Sequence, residues 1–195
     1  MSVLLVGAGR EYLVAHGDTL ETDLGILDVP ADATPGDTLE THLGTEFDVR
    51  ALRGPDLFEH FERTGAPMMP RDVGLIVGHT GIAGGDRVLD VGTGTGVLAG
   101  YMGRVGASVV TYEQTDDFAD VARENMALAG VEDAVDVRTG DATEHVDELL
   151  DDAPYDVLTL DTADASELVE HAPDLLADGG FVAVYSPFVE SSKEV

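Results

Sequence analysis

Cysteine and tryptophan are absent from this 195-residue chain, and Lys193 is its only lysine. Without cysteine the chain can form neither a disulfide nor a thiolate metal site, so cysteine usage does not reveal the redox compartment. No apolar run approaches the roughly 20 residues of a transmembrane helix, and the sequence does not open with a signal peptide. We therefore expect no association with membranes, and we predict a cytoplasmic location by elimination.

Basic residues are scarce while acidic ones abound. Thirty-nine Asp and Glu against 10 Lys and Arg give a formal net charge of -29, yet 44% of residues are hydrophobic. So large an apolar fraction separates the chain from disordered proteins. Salt screens a self-repelling surface, because the Debye length falls to about 3 Å at 1 M. We interpret the charge as adaptation to a salt-loaded cytoplasm, as in a halophilic source; an acidic protein that binds basic partners is the alternative.

The first part of the chain has short apolar runs and many turn residues. Gly-Asp pairs and prolines separate brief alternating segments, which predicts a small N-terminal β domain over residues 1–54. The sequence GDTLET occurs at Gly17–Thr22 and again at Gly36–Thr41. A duplicated hairpin would explain the repeat, and chance reuse of a good turn sequence explains it equally well.

Residues 55–195 have a different pattern, in which apolar runs alternate with amphipathic segments. One such segment places apolar residues on a helical face and ends at Gly130. Strands that alternate with helices predict a parallel sheet covered on both faces, the doubly wound α/β fold with a Rossmann-like sheet. The predicted strands are Arg87–Val91, Ser108–Glu113, Ala134–Thr139, Tyr155–Leu160 and Phe181–Tyr185.

A glycine-rich loop follows the first of these strands, in the sequence VLDVGTGTGVLAG. Glycines after this strand allow a backbone to approach a ligand closely and to turn into a helix. A dinucleotide fingerprint would need a third glycine at position 97, where Val97 stands, and this favours S-adenosylmethionine (SAM), which has no pyrophosphate, over NAD. A purely structural turn is the alternative. The candidate cofactor-binding residues of the loop are Asp90, Gly92, Thr93, Gly94, Thr95 and Gly96.

Two further strand ends carry ligand-suited residues. Glu113 follows the second strand, where an acid can accept hydrogen bonds from both ribose hydroxyls. Gly140, Asp141 and Ala142 follow the third, where a carboxylate can accept from an adenine amino group. A single acid at a strand end is usually a turn residue or a helix cap. In this order, these residues and the loop resemble the SAM-binding motifs of class I methyltransferases. The six histidines are scattered and predict no metal site.

The region before the sheet resembles the tRNA (adenine-N1)-methyltransferase family. In that family a small β domain leads into the catalytic domain through a YPKDxG-like segment, and MPRDVG at Met69–Gly74 is similar to it, with Met69 in place of tyrosine. The resemblance implies methylation of N1 of an adenine in the tRNA T-loop by a homotetramer. It also implies that Asp161, after the fourth strand, faces the substrate adenine and that Tyr185 lies near the substrate pocket.

The chain departs from this family after its fourth strand. The family has a DLPxPW-like stretch there, whereas this chain reads LDTADAS, which keeps Asp161 and lacks both prolines and the tryptophan. The class also continues beyond the fifth strand, so we expect a domain that is incomplete at its C-terminus. Two alternatives stay open: a protein isoaspartyl carboxyl methyltransferase with the same SAM-binding half, and a non-catalytic subunit that binds SAM or tRNA.

Overall fold

The computed structural model describes residues 2–186, and none of the helices in that range is long and apolar enough to cross a bilayer. The chain divides into two compact units, residues 1–60 and 61–195. The division falls after His60 and not after residue 54, because a short helix continues the first unit. Asp56 of this helix accepts from the Arg53 N–H at 2.5 Å and pairs with Arg50 at 3.1 Å. The predicted incompleteness beyond Val195 lies outside the described residues.

The first unit is built from antiparallel strands. A four-stranded sheet has the order β2-β1-β6-β5, and β3 pairs with β4 in a separate two-stranded ribbon. Leu5 and Phe47 are fully buried within its apolar cluster, and Tyr12 meets Phe47 edge to face at 5.8 Å. The elements are β1 (Ser2–Gly7), β2 (Arg10–Ala15), β3 (Thr19–Thr22), β4 (Gly25–Asp28), β5 (Thr38–Glu40), β6 (Glu46–Arg50) and α1 (Gly54–His60).

The repeated GDTLET sequence forms the same hairpin start twice. In each copy the glycine N–H donates to a valine carbonyl on the returning side of the hairpin at 2.9 Å, and that valine N–H donates to the aspartate carbonyl at 2.8 Å. The threonine hydroxyl of each copy then donates to an aspartate directly opposite it. The residues of the first copy are Gly17, Val29, Asp18, Thr19 and Asp28. Those of the second copy are Gly36, Val49, Asp37, Thr38 and Asp48.

The second unit contains a parallel sheet of five strands in the order β11-β10-β7-β8-β9. The predicted doubly wound α/β fold is therefore confirmed. A 3-10 helix spans Ala142–His145. The other elements are α2 (Pro70–Thr80), β7 (Arg87–Val91), α3 (Val97–Arg104), β8 (Ser108–Glu113), α4 (Asp116–Ala129), β9 (Val135–Thr139), α5 (Val146–Asp152), β10 (Tyr155–Leu160), α6 (Ala165–Glu170), α7 (Ala172–Leu175) and β11 (Leu176–Val184).

Helices lie on both faces of this sheet. Parallel crossovers are right-handed, so helices that lead outwards from β7 in opposite directions cover opposite faces. On one face, buried Leu149, Leu168 and Leu175 of α5, α6 and α7 join Leu89 and Leu158 of the sheet in one cluster. The helices α3 and α4 pack on β8 and β9. The carboxyl ends of the strands are left free for a site.

The last described strand differs from its prediction. It begins at Leu176 and not at Phe181, because the pair Gly179–Gly180 does not end a helix. The parallel register instead shifts between the pairs Tyr155–Leu176 and Val157–Phe181. Gly179 has a φ of +86°, which lets the chain leave and rejoin the strand. The prediction that this glycine pair closes a helix is therefore wrong, because the pair lies at an irregularity within the strand.

Candidate active site

The carboxyl ends of the parallel strands border a cleft of about 340 Å³ in the second unit. It lies where the strand order reverses beside β7, the position at which open α/β sheets bind ligands. The loops after β7, β8, β9 and β10 all contribute to its wall. The predicted site residues in that wall are Gly92, Gly94, Thr95, Glu113, Gly140, Asp141, Ala142 and Asp161.

The glycine loop touches the end of β10. A Cβ atom at Gly92, whose φ is +98°, would lie 2.2 Å from the Asp161 carbonyl oxygen. The Asp161 N–H donates to the Val91 carbonyl at 2.8 Å. A Cβ atom at Gly94, in contrast, would meet no atom within 4 Å, so this residue faces open space in the cleft. The loop thus packs tightly underneath and is open above, as a ligand cradle must be.

Glu113 connects the loop to the next strand. Its carboxylate accepts from the Gly94 N–H at 2.9 Å and from the Thr115 N–H at 3.0 Å. The side chain is only 7% exposed although it lines the cleft. A carboxylate has about four acceptor positions. Two are used by the backbone, and the others are available to hydroxyl groups of a ligand.

Asp141 begins the 3-10 helix and points one oxygen at its backbone. The Oδ1 atom accepts from the Thr143 N–H at 2.9 Å and from the Thr143 hydroxyl at 2.7 Å. These bonds hold the pKa of the carboxyl below its usual range. Gly140, just before it, donates to the Glu113 carbonyl at 2.9 Å. Asp141 is therefore both a cap and part of the cleft wall.

Asp90 lies beneath the loop and outside the wall of the main cleft. It is 2% exposed and accepts from the hydroxyl of Thr111 at 2.7 Å and from that of Thr159 at 2.5 Å. Burial raises the pKa of its carboxyl to about 6; the two threonine bonds lower it, and the charge of Asp161 raises it further. Asp90 also borders a cavity of about 40 Å³ shared with Asp161 and Met68.

Three more predicted residues lie off the cleft wall. Thr93 is buried, with its hydroxyl 2.6 Å from that of Thr111. At Gly96 an added Cβ would approach Met126 of α4 at 2.6 Å, so this glycine serves helix packing. Tyr185 is 45% exposed, and its N–H donates to the Leu160 carbonyl at 2.8 Å. It follows β11 and is not among the residues that line the cleft.

Asn125 holds the loop and was missed by the sequence analysis. Its Nδ2 donates to the carbonyls of Thr95 and Glu62, both at 2.9 Å, and its Oδ1 accepts from the Glu62 N–H at 3.0 Å. It is 3% exposed. An amide in line with the buried Ala122 and Ala129 of α4 was the available signal, because a buried polar group needs partners.

The charge of the cleft wall tests which cofactor fits. Glu113, Asp141, Asp161 and Asp164 line it, and no lysine or arginine does so among residues 2–186. An acidic wall disfavours the phosphates of a dinucleotide and suits a cofactor with a positive sulfonium and ribose hydroxyls. With the glycine cradle, these residues fit SAM.

The fold and this cleft define a SAM-dependent methyltransferase. Residues 64–191 match the family described as Protein-L-isoaspartate(D-aspartate) O-methyltransferase (PCMT). The chain therefore belongs to the class I SAM-dependent methyltransferases, and within this class its residues 64–191 belong to the PCMT family.

Over nearly its whole length the chain is similar to tRNA methyltransferases. It is 30% identical to the tRNA (adenine(57)-N(1)/adenine(58)-N(1))-methyltransferase of Methanocaldococcus jannaschii, over 95% of this chain and 75% of that protein. It is 39% identical to the protein-L-isoaspartate O-methyltransferase of Methanoculleus marisnigri, over 57% of this chain and 48% of that protein.

Two solved structures resemble the whole fold. A SAM-dependent O-methyltransferase from Thermotoga maritima superposes with a TM-score of 0.80 at 27% identity, over 99% of this chain and 74% of that one. The tRNA (m1A58) methyltransferase from Aquifex aeolicus superposes with a TM-score of 0.72 at 20% identity, over 100% of this chain and 77% of that one. The second likeness shows the fold alone.

The buried carboxyl of Asp90 predicts a pH dependence of stability. Its pKa in the folded state, about 6, lies above the ordinary 3.8, so its contribution to stability is full below pH 3.8 and is lost as pH rises through 6. The variant Asp90→Asn lacks this dependence. We expect the free energy of unfolding of the variant to increase relative to that of the wild type between pH 4 and pH 7, by on the order of 2 kcal/mol.

Urea unfolding of both proteins at several pH values in high salt measures this difference. The other acids titrate in both proteins and cancel in the comparison. A difference that stays constant from pH 4 to pH 7 would contradict a raised pKa for Asp90.

Proposed function

We propose that this protein uses SAM to methylate N1 of an adenine in tRNA. The observation that carries the proposal is the extent of the similarity. The alignment with the tRNA methyltransferase spans 95% of the chain and so includes both units. The PCMT match covers residues 64–191 and leaves out the first unit. Similarity to the tRNA methyltransferase therefore extends over the first unit, which the PCMT match does not include.

The cofactor lies across the glycine loop in this proposal. Gly94 faces the open cleft, and its N–H is held by Glu113, so the loop and this acid act as one surface. Glu113 accepts from the ribose hydroxyls with its remaining acceptor positions. Asp141 accepts from the adenine amino group with the oxygen that does not cap the 3-10 helix. Asp90, Thr93 and Gly96 support the loop from below.

Asp161 orients the substrate base. SAM supplies an electrophilic methyl group on a sulfonium, and N1 of adenine carries the lone pair that attacks it. The Asp161 side chain is accessible from the cleft, and partial desolvation by the cleft walls raises the pKa of its carboxyl. Its carboxylate accepts from N6 of the adenine and so aligns N1 with the methyl group. It also stabilises the positive charge that the ring gains on alkylation.

Base stacking uses the exposed side chains of this unit. Met69 precedes α2 and is 49% exposed, and Tyr185 is 45% exposed. Flipped bases are held by stacking on aromatic and apolar side chains. Thr162 and Ala163 line the cleft where the family has bulkier residues, so the base is gripped here by fewer groups.

The acidity of the chain sets the conditions for RNA binding. A net charge of -29 repels phosphates at low salt, whereas molar salt screens that repulsion together with the phosphate attraction. Recognition then rests on shape, stacking and base-edge contacts. A halophilic source and a cytoplasmic location belong to this proposal, and each assay below is designed for molar salt.

Loss of Glu113 tests the cofactor site. The variant Glu113→Ala should weaken binding of S-adenosylhomocysteine by roughly 10- to 100-fold, because a hydrogen bond to a charged group contributes about 1.5–3 kcal/mol. Isothermal titration calorimetry in molar salt measures the change. Glu124→Ala removes the same charge from an exposed position of α4 and should bind as the wild type does. Equal affinities of the two variants would refute the assignment of Glu113.

Loss of Asp161 tests the reaction. In Asp161→Ala the affinity for S-adenosylhomocysteine should stay nearly unchanged, while methyl transfer to tRNA falls by roughly 10²–10³-fold, as when one well-placed electrostatic contact is removed. Mass spectrometry of tRNA nucleosides measures the product at equal folded concentration. A turn or capping role for Asp161 predicts activity that falls only in step with the folded fraction.

The same assay separates the alternatives through the wild type. An isoaspartyl enzyme would methylate aged peptide and leave tRNA unchanged. A subunit without catalytic activity would bind the cofactor and methylate neither. Methylated peptide from the wild type, or no 1-methyladenosine in tRNA, would overturn the proposed substrate.

The assembly is proposed to be a homotetramer that depends on salt. Each subunit carries the same charge, so repulsion between subunits should dissociate the assembly at low salt. Light scattering from 0.1 to 3 M salt should report a rise in mass as salt increases. A monomer at every salt concentration would rule out this assembly.

A further inference from the structure

Four side chains beneath the cleft form a hydrogen-bonded chain across three strands, which we call the threonine–aspartate chain. It consists of Thr93, Thr111, Asp90 and Thr159. The strand register explains it: Asp90 of β7 lies directly beside Thr111 of β8 and Thr159 of β10. Each threonine hydroxyl therefore reaches one oxygen of the carboxylate, at 2.7 and 2.5 Å.

The direction of these bonds follows from the number of hydrogens. The Thr111 hydroxyl has a single hydrogen and donates it to Asp90. In its bond to Thr93, at 2.6 Å, Thr111 must therefore accept. The chain then runs from Thr93 through Thr111 to Asp90. An ionised acceptor at its end strengthens each bond, and the low dielectric of a buried site strengthens them further.

Thr93 transmits this anchoring to the glycine loop. Its N–H donates to the Tyr112 carbonyl at 3.1 Å, and its carbonyl accepts from the Gly96 N–H at 2.8 Å. The next residue, Gly94, lines the cleft and donates to Glu113. A shift of Thr93 would therefore move both the open part of the loop and the acid beside it.

We propose that Thr111 is a positioning residue for the cofactor, which holds the glycine loop in its binding geometry by linking Thr93 to Asp90. Thr159 donates to the same carboxylate and has no bond to the loop, so it anchors Asp90 without positioning Thr93. The proposal rests on SAM binding at this cleft and is independent of the methylated substrate.

The two buried threonines offer a matched experiment. Thr111 is 0% and Thr159 is 1% exposed, both lie in strands beside β7, and valine replaces either with nearly the same shape. Thr111→Val removes both the bond to Asp90 and the bond from Thr93, and so cuts the link to the loop. Thr159→Val removes a bond to the same carboxylate that does not reach the loop. We expect the Kd for S-adenosylhomocysteine to rise by about tenfold in Thr111→Val, the loss typical of one buried hydrogen bond, and to change by less than threefold in Thr159→Val.

Stability is measured beside affinity. Thermal unfolding should show a lower Tm in both valine variants, because each leaves one Asp90 oxygen without its donor. The decrease should be larger in Thr111→Val, which also leaves the Thr93 hydroxyl without its acceptor. The variant Thr111→Ser keeps the hydroxyl and should bind as the wild type does despite the lost methyl group. A merely structural role predicts that the affinity of the folded protein changes by less than threefold in both valine variants, whatever the difference in their Tm.

The outcomes separate this proposal from the proposed function. If the wild type binds S-adenosylhomocysteine and Thr111→Val binds it equally well, or if serine fails to restore binding, the positioning role is wrong and the methyltransferase assignment stands. If the folded wild type does not bind, both are wrong. Tenfold weaker binding in Thr111→Val alone, restored by serine, establishes the role.

Discussion

The close contact between the Gly92 backbone and the Asp161 carbonyl constrains the whole site. A Cβ atom at position 92 would lie 2.2 Å from that oxygen, so only glycine lets the loop after β7 pass the end of β10. The Asp161 N–H completes the junction by donating to Val91. This contact fixes the loop and the Asp161 side chain relative to each other at one wall of the cleft. The glycine loop and Asp161, to which we assign cofactor and substrate, are thus parts of one rigid junction.

Burial of Asp90 is costly, and its location accounts for the cost. A carboxylate removed from water is destabilising unless its partners compensate. Burial raises the pKa of the Asp90 carboxyl, although two threonine hydroxyls donate to it. Proteins accept such costs where a group must be held for function. The buried acid lies directly beneath the glycine loop, which is consistent with a function in binding.

Methyltransferases with different substrates share the second unit of this protein. The PCMT match and the alignment with the tRNA relative both cover the sheet and the glycine loop, so these parts indicate the cofactor and leave the substrate open. In the proposed function, specificity comes from the end of β10 and from the first unit. The end of β10 carries Asp161 without the bulky neighbours of the tRNA family. The first unit contains the same hairpin start twice, and it is included in the alignment with the tRNA relative but not in the PCMT match.

The sequence by itself determined the parallel sheet, the glycine loop and the strand-end acids Glu113, Asp141 and Asp161. These features are local, and parallel strands bring their carboxyl ends to one edge, so their order along the chain implies a shared site. Only the tertiary structure decided that Thr111 and Thr159 flank Asp90, since the pairing register between distant strands leaves no mark in a local pattern. For the same reason it alone showed which polar side chains meet beneath the loop, because those hydrogen bonds join residues far apart in the chain.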